Sequence, residues 1–290
     1  MLTMRTYLVA LILLVGFHVK AQEYPIMLLE EGHILIEVTL NDSIKSNFIL
    51  DTGAGAVVLS SKTFERVRES STEAGFFTGF RHDGDRLDGE IFSIPSLALG
   101  DYKVKNILTG VYPPLDDFGI DGLLSLKFFE NMPFTIDYKN QKVRLVQDEE
   151  LELLAAKNTV LPLSLDIRED VSLDVHIPIC INGELEVSAE FDTGSGHSLF
   201  LLNPYFLEKL GLDSASITTQ TYTTPIAGRS LNDFVTSLNS VGVCGDESLQ
   251  WNDKSTTFRE GLIFEALIGS GLFKDRAITI DIPGKRLIVH

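Results

Sequence analysis

The chain has little of several residue types that would assign it to a protein class at once. It contains 2 cysteines and 1 tryptophan in 290 residues, and its 24 Lys and Arg residues are outnumbered by 41 Asp and Glu residues. The formal net charge of −17 opposes binding to nucleic acid and to anionic membrane surfaces, so we expect neither as a partner. The sequence has no H-E-x-x-H, phosphate-loop or dinucleotide glycine motif, and we expect no metal and no cofactor.

Long hydrophobic runs are also scarce, and the one that is present lies at the N-terminus. Arg5 precedes the apolar run Tyr7–Phe17, and Val19-Lys20-Ala21 provides small residues at a cleavage site. This pattern predicts an export signal over residues 1–21, removed near Ala21. The run is shorter than the ~20 residues of a membrane-spanning helix. We therefore expect an exported protein, periplasmic or secreted, with no membrane association beyond the signal.

The two cysteines, Cys180 and Cys244, both lie in the second half of the chain. A disulfide between them is feasible in an exported protein if their Cα separation allows it. We favour two buried free thiols carried on strands, and the disulfide stays open as the alternative.

The sequence does contain an internal repeat. Two Asp-Thr-Gly-x-Gly motifs, beginning at Asp51 and Asp192, each follow an apolar, strand-like run, and they are separated by about half of the chain. Glycine suits a backbone that turns tightly or passes close to another group. Other landmarks recur in the same order around both motifs: Asn41-Asp42-Ser43 and Asn182-Gly183-Glu184, Leu123-Leu124-Ser125 and Leu267-Ile268-Gly269, Phe134–Asp137 and Ile278–Asp281. The chain is therefore predicted to be a duplicated structure.

Between these landmarks, short β-rich runs alternate with turn residues, which predicts a mainly β fold. The predicted elements include a strand over His33–Leu40, a short helix capped by Ser61 and running through Arg68, a hairpin over Phe76–Ile94, and a helix opened by Asn203-Pro204 and ended by Gly211. We expect an N-terminal lobe over residues 22–146, an acidic linker with some helical character over 147–158, and a C-terminal lobe over 159–290.

Together these features resemble the aspartic peptidases, the pepsin-like and retropepsin-like enzymes, in which each lobe or subunit contributes one Asp-Thr-Gly motif. The resemblance covers nearly all of the chain after residue 21. It implies two β-barrel lobes related by a pseudo-twofold axis, with a few short helices, and a monomer that builds the whole site. In this family a hydrophobic-hydrophobic-Gly element crosses behind each motif. Leu267-Ile268-Gly269 fits it, whereas the first copy has Ser125 in place of glycine.

The resemblance also implies roles for individual residues. Asp51 and Asp192 would form the catalytic dyad, share a proton and activate a water molecule. The residues expected to support the dyad are Thr52 and Thr193, which would tie the lobes together, Gly53 and Gly194, whose N–H groups would face the carboxylates, and Ser195. The first motif has Ala54 where the second has Ser195, so the two carboxylates should be inequivalent.

Two turns are candidate flaps over a bound peptide. One is the predicted hairpin tip His82–Asp85, which contains Asp83 and Gly84, and the other is its counterpart Pro225–Arg229, which contains Ala227 and Gly228. Asp-Gly is strong turn chemistry. The neighbouring residues Phe76, Phe77 and Phe80 either line the cleft or belong to the core of the lobe.

The function predicted from these features is an aspartic endopeptidase acting on peptide or protein substrates. The alternative is a catalytically silent peptide-binding protein on the same fold. A serine triad of Ser195, His197 and Ser198 is disfavoured, because neighbouring residues in an extended segment point to opposite faces and the G-x-S-x-G elbow is broken. A glycosidase would also use two carboxylates, but its chemistry does not require duplicated Asp-Thr-Gly turns. Asp137 and Asp281 are interpreted as structural acids in turns.

Overall fold

The structure, a computed structural model, describes residues 22–168 and 170–290. The predicted export signal over residues 1–21 lies outside the described residues. No helix in the described part of the chain combines the length and apolar character needed to cross a membrane.

The first half of the described chain, residues 22–146, is built almost entirely of strands. They are β1 (Glu23–Leu28), β2 (Ile34–Leu40), β3 (Ile44–Leu50), β4 (Val57–Leu59), β5 (Thr72–Phe80), β6 (Arg86–Leu99), β7 (Tyr102–Val111), β8 (Gly122–Leu124), β9 (Phe134–Asp137) and β10 (Lys142–Leu145). One α-helix, α1 (Ser61–Val67), and 3-10 segments at Arg68–Ser70, Pro113–Asp116 and Leu126–Phe129 complete this half. The burial of β2 alternates from residue to residue, because successive side chains of a strand point to opposite faces.

The second half repeats this arrangement after α2 (Asp148–Lys157). Its strands are β11 (Thr159–Pro162), β12 (Ser164–Arg168), β13 (Ser172–Ile181), β14 (Leu185–Phe191), β15 (Phe200–Leu202), β16 (Thr218–Thr223), β17 (Ser230–Gly242), β18 (Gln250–Arg259), β19 (Ala266–Ile268), β20 (Ala277–Asp281) and β21 (Arg286–Val289). Its helical segments are α3 (Phe206–Lys209) and 3-10 turns at Thr193–Ser195, Ser214–Ser216, Glu247–Leu249 and Ser270–Phe273.

Strand pairing shows that the two halves have the same topology. β3 runs parallel to β8, and β14 runs parallel to β19 in the equivalent position. β4 lies between β8 and β7 as β15 lies between β19 and β18. The hairpin pairs β5–β6–β7 and β16–β17–β18 also correspond. The predicted duplicated, mainly β fold with a few short helices is therefore confirmed.

The halves are joined by a shared antiparallel sheet of six strands in the order β11-β21-β20-β9-β10-β1. At its centre β9 pairs with β20, so the repeated Thr-Ile-Asp segments lie side by side. The hydroxyl groups of Thr135 and Thr279 are 2.7 Å apart and hydrogen-bonded there. A single apolar core runs through both lobes, and α2 packs separately on β21 through Leu151 and Ile288.

Local details differ from the sequence predictions at two helices. The N-cap of α1 is Ser60 rather than Ser61, and its Oγ accepts a hydrogen bond from the backbone N–H of Thr63. The helix after Asn203-Pro204 is the short α3, which begins at Phe206, and Asn203 Oδ1 accepts from Tyr205 N in the turn before it. Asp137 and Asp281 accept hydrogen bonds from Asn140 N and Gly284 N in tight turns, as expected of structural acids.

The expectation of two buried free thiols is wrong. Cys180 and Cys244 form a disulfide, with their Cα atoms 5.1 Å apart, and Cys244 is exposed. Cys180 lies on β13 and Cys244 follows β17, and these two strands pair with each other at Cys180 and Gly242. This pairing, which sequence spacing does not reveal, brings the two cysteines within bonding distance.

Candidate active site

Asp51 and Asp192 each lie immediately beyond the end of a central strand. Asp51 follows β3, and its N–H donates to Leu124 O of the parallel neighbour β8 at 3.1 Å. Asp192 follows β14, and its N–H donates to Ile268 O of β19 at 2.9 Å. Since both anchoring strands are buried, the position of each aspartate is fixed by the core of its own lobe.

Backbone N–H groups hold both carboxyl groups. Gly53 N and Ala54 N donate to Asp51 Oδ1 at 3.0 and 3.1 Å, and Gly194 N donates to Asp192 Oδ1 at 2.7 Å. The Ser195 hydroxyl donates to Asp192 Oδ2. Ala54 has no hydroxyl to offer Asp51, so the two carboxyl groups have different hydrogen-bond environments.

The glycines of the two motifs allow the carboxyl groups to approach each other across the lobe boundary. A Cβ atom on Gly53 would lie 2.4 Å from Asp192 Cγ, and one on Gly194 would lie 2.4 Å from Asp51 Cγ. Any side chain at either position would occupy the space of the opposite aspartate. Each glycine is therefore required by the aspartate of the other lobe.

This proximity has a direct electrostatic consequence. Burial, the charge of Asp192 and a hydrogen bond between the two side chains together raise the pKa of Asp51 well above its usual range. Two carboxylates this close are not both ionised at low cost, so the pair holds one proton over a wide pH range.

Thr52 and Thr193 cross-link the two lobes beneath the aspartates. The Thr52 hydroxyl donates to Phe191 O at 2.5 Å, and the Thr193 hydroxyl donates to Leu50 O at 2.7 Å. Each hydroxyl also accepts the backbone N–H of the other threonine, at 3.0 and 3.1 Å. Both threonines are fully buried, so these four hydrogen bonds fix the relative position of the two motifs.

The two candidate flaps meet each other. Asp85, 1% exposed, accepts hydrogen bonds from Ile226 N and Ala227 N and forms an ion pair with Arg229 at 3.0 Å. Arg229 also donates to Asp83 O at 2.6 Å, and the Tyr222 hydroxyl donates to Asp83 Oδ2 at 2.9 Å. We call this set of contacts the latch: Asp83, Asp85, Tyr222, Arg229 and the N–H groups of Ile226 and Ala227.

Gly84 and Gly228 form the turns of the two tips, with φ angles of +78° and +63°. Phe76 and Phe80 are exposed beside the first tip, whereas Phe77 is partly buried, with its ring close to Gly89 and Gly110. Phe77 thus belongs to its own lobe, while Phe76 and Phe80 are available at the surface.

The latch yields a testable expectation about pH and hydrogen exchange. Burial raises the pKa of Asp85, but hydrogen bonds from Ala227 N, Thr224, Ile226 N and Arg229 outweigh it and lower this pKa to about 2. A depressed pKa stabilises the closed tips above the ordinary pKa of an aspartate near 4, and this contribution is lost as the pH falls towards 2. The latch therefore stays closed at mildly acidic pH.

Replacing Asp85 by Ala should accelerate amide exchange in the segment Thr224–Arg229 by about 10-fold or more at pH 5, measured by hydrogen–deuterium exchange with mass spectrometry. Asp88→Ala is the matched control, since Asp88 is paired with Arg86 on its own strand. Equal exchange in wild type and Asp85→Ala would show that these contacts do not hold the tips together.

The crossing elements behind the motifs differ between the lobes. Gly269 N donates to Leu199 O at 3.0 Å, and its backbone passes so close to Gly196 that a Cβ would lie 2.1 Å from Gly196 O. The equivalent Ser125 is fully buried, and its Oγ accepts from Lys127 N at the start of a 3-10 turn. The departure at Ser125 therefore has a local structural use.

The residues of the disfavoured serine triad do not assemble. His197 Nδ1 hydrogen-bonds to Ser270 Oγ at 2.9 Å, and the Ser195 hydroxyl bonds to Asp192. The backbone carbonyl of Ser198 accepts a hydrogen bond from Lys254 Nζ.

Sequence reasoning missed several residues next to the motifs. Glu190 is buried two residues before Asp192, and Asp174 lies on the neighbouring strand β13. A comparison of the two repeats contains a signal for Glu190, because the equivalent residue in the first repeat is the apolar Ile49. Arg229 and Tyr222 of the latch carried no such signal.

Comparison with known proteins finds a family model that matches part of the chain. A family model described as aspartyl protease matches residues 36–128, which include the first Asp-Thr-Gly motif. A search of curated proteins finds no match.

Similar solved structures include that of edgp (TM-score 0.51, 10% identity), which covers 93% of this chain and 94% of its own. Basic 7S globulin from soybean (TM-score 0.50, 10% identity) covers 93% and 94%. Conglutin gamma, a basic 7S globulin from lupine seeds (TM-score 0.50, 11% identity), also covers 93% and 94%. At these identities the likeness concerns the fold alone, and it supports the expected two-lobed architecture of the acid-protease type.

Proposed function

We propose that the chain is an aspartic endopeptidase that hydrolyses peptide bonds with a water molecule activated between Asp51 and Asp192. The observation that carries this proposal is the facing pair of carboxyl groups, each held by backbone N–H groups. They face each other because Gly53 and Gly194 have no side chains to fill the space beside the opposite aspartate. The aspartyl protease match over the first motif supports it.

The proposed chemistry follows from the unequal environments of the two acids. Asp51, whose pKa is raised, holds the proton, and Asp192, whose Oδ2 accepts a hydrogen bond from the Ser195 hydroxyl, acts as the base. Asp192 takes a proton from the water molecule as the water oxygen attacks the peptide carbonyl carbon, and Asp51 donates its proton to the carbonyl oxygen. As the tetrahedral diol collapses, Asp192 protonates the leaving amine and a diol hydroxyl returns a proton to Asp51. The dyad ends in its starting state.

We propose that the two tips are flaps over the bound peptide, with Gly84, Ala227 and Gly228 facing it. The Asp83 side chain, predicted as a fourth contact, is instead fully buried and bonded to Tyr222 within the latch. A peptide that enters across the tips must first open the latch, because the contacts of Asp85 bridge the two lobes. Opening and closing of such lids commonly limit turnover in enzymes.

The proposal also includes export, a monomeric state and a peptide or protein substrate. The Cys180–Cys244 disulfide supports export, because structural disulfides persist mainly in oxidising compartments. One chain supplies both aspartates and both threonines, so a monomer contains the whole dyad. The proposed reaction needs no metal and no cofactor.

The test is cleavage of a diverse peptide library by the protein lacking residues 1–21, from about pH 3 to pH 8 so that the carboxyl groups titrate. We expect cleavage that is lost in both Asp51→Asn and Asp192→Asn. Equal cleavage by the substituted proteins would identify a contaminating protease and refute the dyad.

One observation favours a second candidate, a silent peptide-binding protein on the same fold. The latch closes the tips through five hydrogen bonds, four to the buried Asp85 carboxylate and one to the backbone oxygen of Asp83. A protein in which the latch never opens would not turn over substrate. Peptide binding without cleavage at every pH, also after the latch is removed by Asp85→Ala, would establish this candidate.

A further inference from the structure

Next to the dyad, the second lobe carries two further acids on one face of its sheet. β14 leads directly into Asp192, and Glu190 lies two residues earlier, so both side chains point to the same side. His176 on β13 is the register partner of Glu190, and Asp174 lies two residues before His176 on that same face. The strands thus align Asp174, Glu190 and Asp192 towards the lobe boundary.

Asp174 reaches the first lobe. A Cβ on Gly55 would lie 3.1 Å from Asp174 Oδ1, and the adjacent Leu173 N donates to Gly55 O at 2.9 Å. Gly55 belongs to the turn that follows Asp51, so the carboxylate of Asp174 borders the dyad from the side of the second lobe.

Glu190 is the unusual member of this group. Its side chain is only 4% exposed, yet it forms no hydrogen bond or ion pair with any residue of the described chain, and its neighbours are the carboxyl groups of Asp192, Asp174 and Asp51. Within the described residues, the polar side-chain atoms that are both fully enclosed and without a hydrogen-bond partner are Arg81 Nε and the Tyr138 hydroxyl oxygen, and the carboxyl oxygens of Glu190 do not belong to this set. The small exposed part of Glu190 therefore includes its carboxyl group. A buried, unpartnered acid is costly, which indicates that its partner arrives with a ligand.

The charges around the two acids lack a matching cation. Arg168, on β12, is paired with Asp166 at 3.0 Å. The titratable groups that face the pair are Asp166 and Arg168 on β12, His176 on β13, Asp192 after β14, Asp51 of the first lobe, and Glu265, which faces His176. Among residues 22–168 and 170–290, no group of three potential ligands converges as a metal site would require. The missing partner is thus better supplied by a single cationic side chain.

The pseudo-twofold relation makes the two sides of the dyad chemically different. Ile49 precedes Asp51 as Glu190 precedes Asp192, and Ile49 is apolar and buried. The register partner of Ile49 on the neighbouring strand is the apolar Leu35, whereas the register partner of Glu190 is His176. One side of the dyad therefore presents an apolar wall and the other an acidic wall.

From this arrangement we propose that Glu190 and Asp174 form a subsite for a lysine or arginine side chain of the peptide, next to the scissile bond on the side of the second lobe. The residue on the other side of that bond is apolar and contacts Ile49. This inference rests on the proposed peptidase function and adds its substrate class.

Binding of the cation is coupled to proton release. Burial and the neighbouring carboxyl groups of Asp192, Asp174 and Asp51 raise the pKa of Glu190 to about 10, so the free protein holds it as a neutral acid at pH 7. Burial and the charge of Asp166 raise the pKa of Asp174 to about 6. An ammonium or guanidinium group between these acids favours their ionised forms, and the Glu190 proton leaves to solvent.

The cleavage test uses paired peptides that carry lysine or its uncharged analogue norleucine at each of the two positions beside the scissile bond. We expect wild type to cleave the lysine peptide with a kcat/KM at least about 10-fold higher at one position only. Glu190→Gln should bring this ratio close to 1. Glu186→Gln, an exposed glutamate on the same strand, is the matched control and should retain the ratio. Cleavage without a lysine preference at either position would overturn the subsite and leave the peptidase intact.

A binding test keeps the two proposals separable if no peptide is cleaved. Calorimetry with the Asp51→Asn protein compares the same lysine and norleucine peptides in buffers of different ionisation enthalpy. The subsite requires at least about 10-fold tighter binding of the lysine peptide, with net proton release, and loss of both when Glu190→Gln is added. Equal affinities would overturn it, whatever the outcome of the cleavage test.

Discussion

Asp51→Asn is expected to lower kcat by at least about 10³-fold and, at the same time, to make the folded protein more stable at neutral pH. The loss of rate follows because the amide cannot hold the proton that polarises the peptide carbonyl, and acid–base groups of this kind contribute about 10²–10⁴-fold. The gain in stability follows because the buried pair no longer contains two carboxyl groups that repel each other.

The stability gain should depend on pH in one direction. The pKa of Asp51 is raised in the folded protein, so wild type loses stability as the pH rises above the ordinary pKa near 4 and the unfolded chain ionises. Asp51→Asn lacks this loss, and its advantage should grow from pH 4 to pH 7. An advantage of about 1 kcal/mol would appear as a rise in Tm of about 2–4 °C by calorimetry.

Asp117→Asn is the control for a change of net charge, since Asp117 is exposed. It should change neither kcat nor the pH dependence of Tm. Two results would refute the assignment of a proton-sharing pair. One is an Asp51→Asn protein that is as active as wild type. The other is a stability advantage of Asp51→Asn over wild type that is smaller at pH 7 than at pH 4.

The second large effect is expected for Gly269→Ser, which copies into the second lobe the residue that the first lobe has at Ser125. A Cβ at position 269 would lie 2.1 Å from Gly196 O. That carbonyl also accepts the N–H of Ser270 at 2.9 Å, and Gly269 N is bonded to Leu199 O, so neither backbone segment can move away freely. We expect a loss of about 3 kcal/mol or more in the free energy of unfolding, measured by chemical denaturation.

The reverse exchange provides the matched comparison. Ser125→Gly removes the hydroxyl that accepts from Lys127 N and adds backbone freedom, and should cost only about 1 kcal/mol. If Gly269→Ser cost less than Ser125→Gly, the close approach of Gly269 to Gly196 would not be a real constraint on the sequence. Gly269→Ser should also reduce cleavage, because Gly196 belongs to the loop that follows Asp192.

The sequence predicted the elements that depend on local order and repetition. Strand β2 was predictable because more and less buried residues alternate along it. The equivalence of Asp51 and Asp192 was predictable because the same landmarks surround both. The hairpin tip at Asp83-Gly84 was predictable from turn chemistry, since its geometry depends on adjacent residues.

Contacts between distant residues were not predictable. Asp85 and Arg229 are surface-type residues at two turns, and nothing in either turn specifies that they meet. The disulfide depends on the pairing of β13 with β17, which no local pattern encodes. Glu190 lies in a strand whose apolar residues suggest ordinary core, and its importance comes from the carboxyl groups that the fold brings around it.

The six-stranded sheet has a consequence for how this duplicated chain is put together. Strand β20, from the end of the chain, pairs with β9 of the first half, and β21 and β11 continue the sheet to its far edge. Each copy of the repeat therefore leaves a sheet edge that only the other copy covers, at Thr135 and Thr279. The unit that was duplicated in the sequence is thus smaller than the unit that folds: half of this chain would expose an unpaired strand edge, and the two halves behave as one cooperative body.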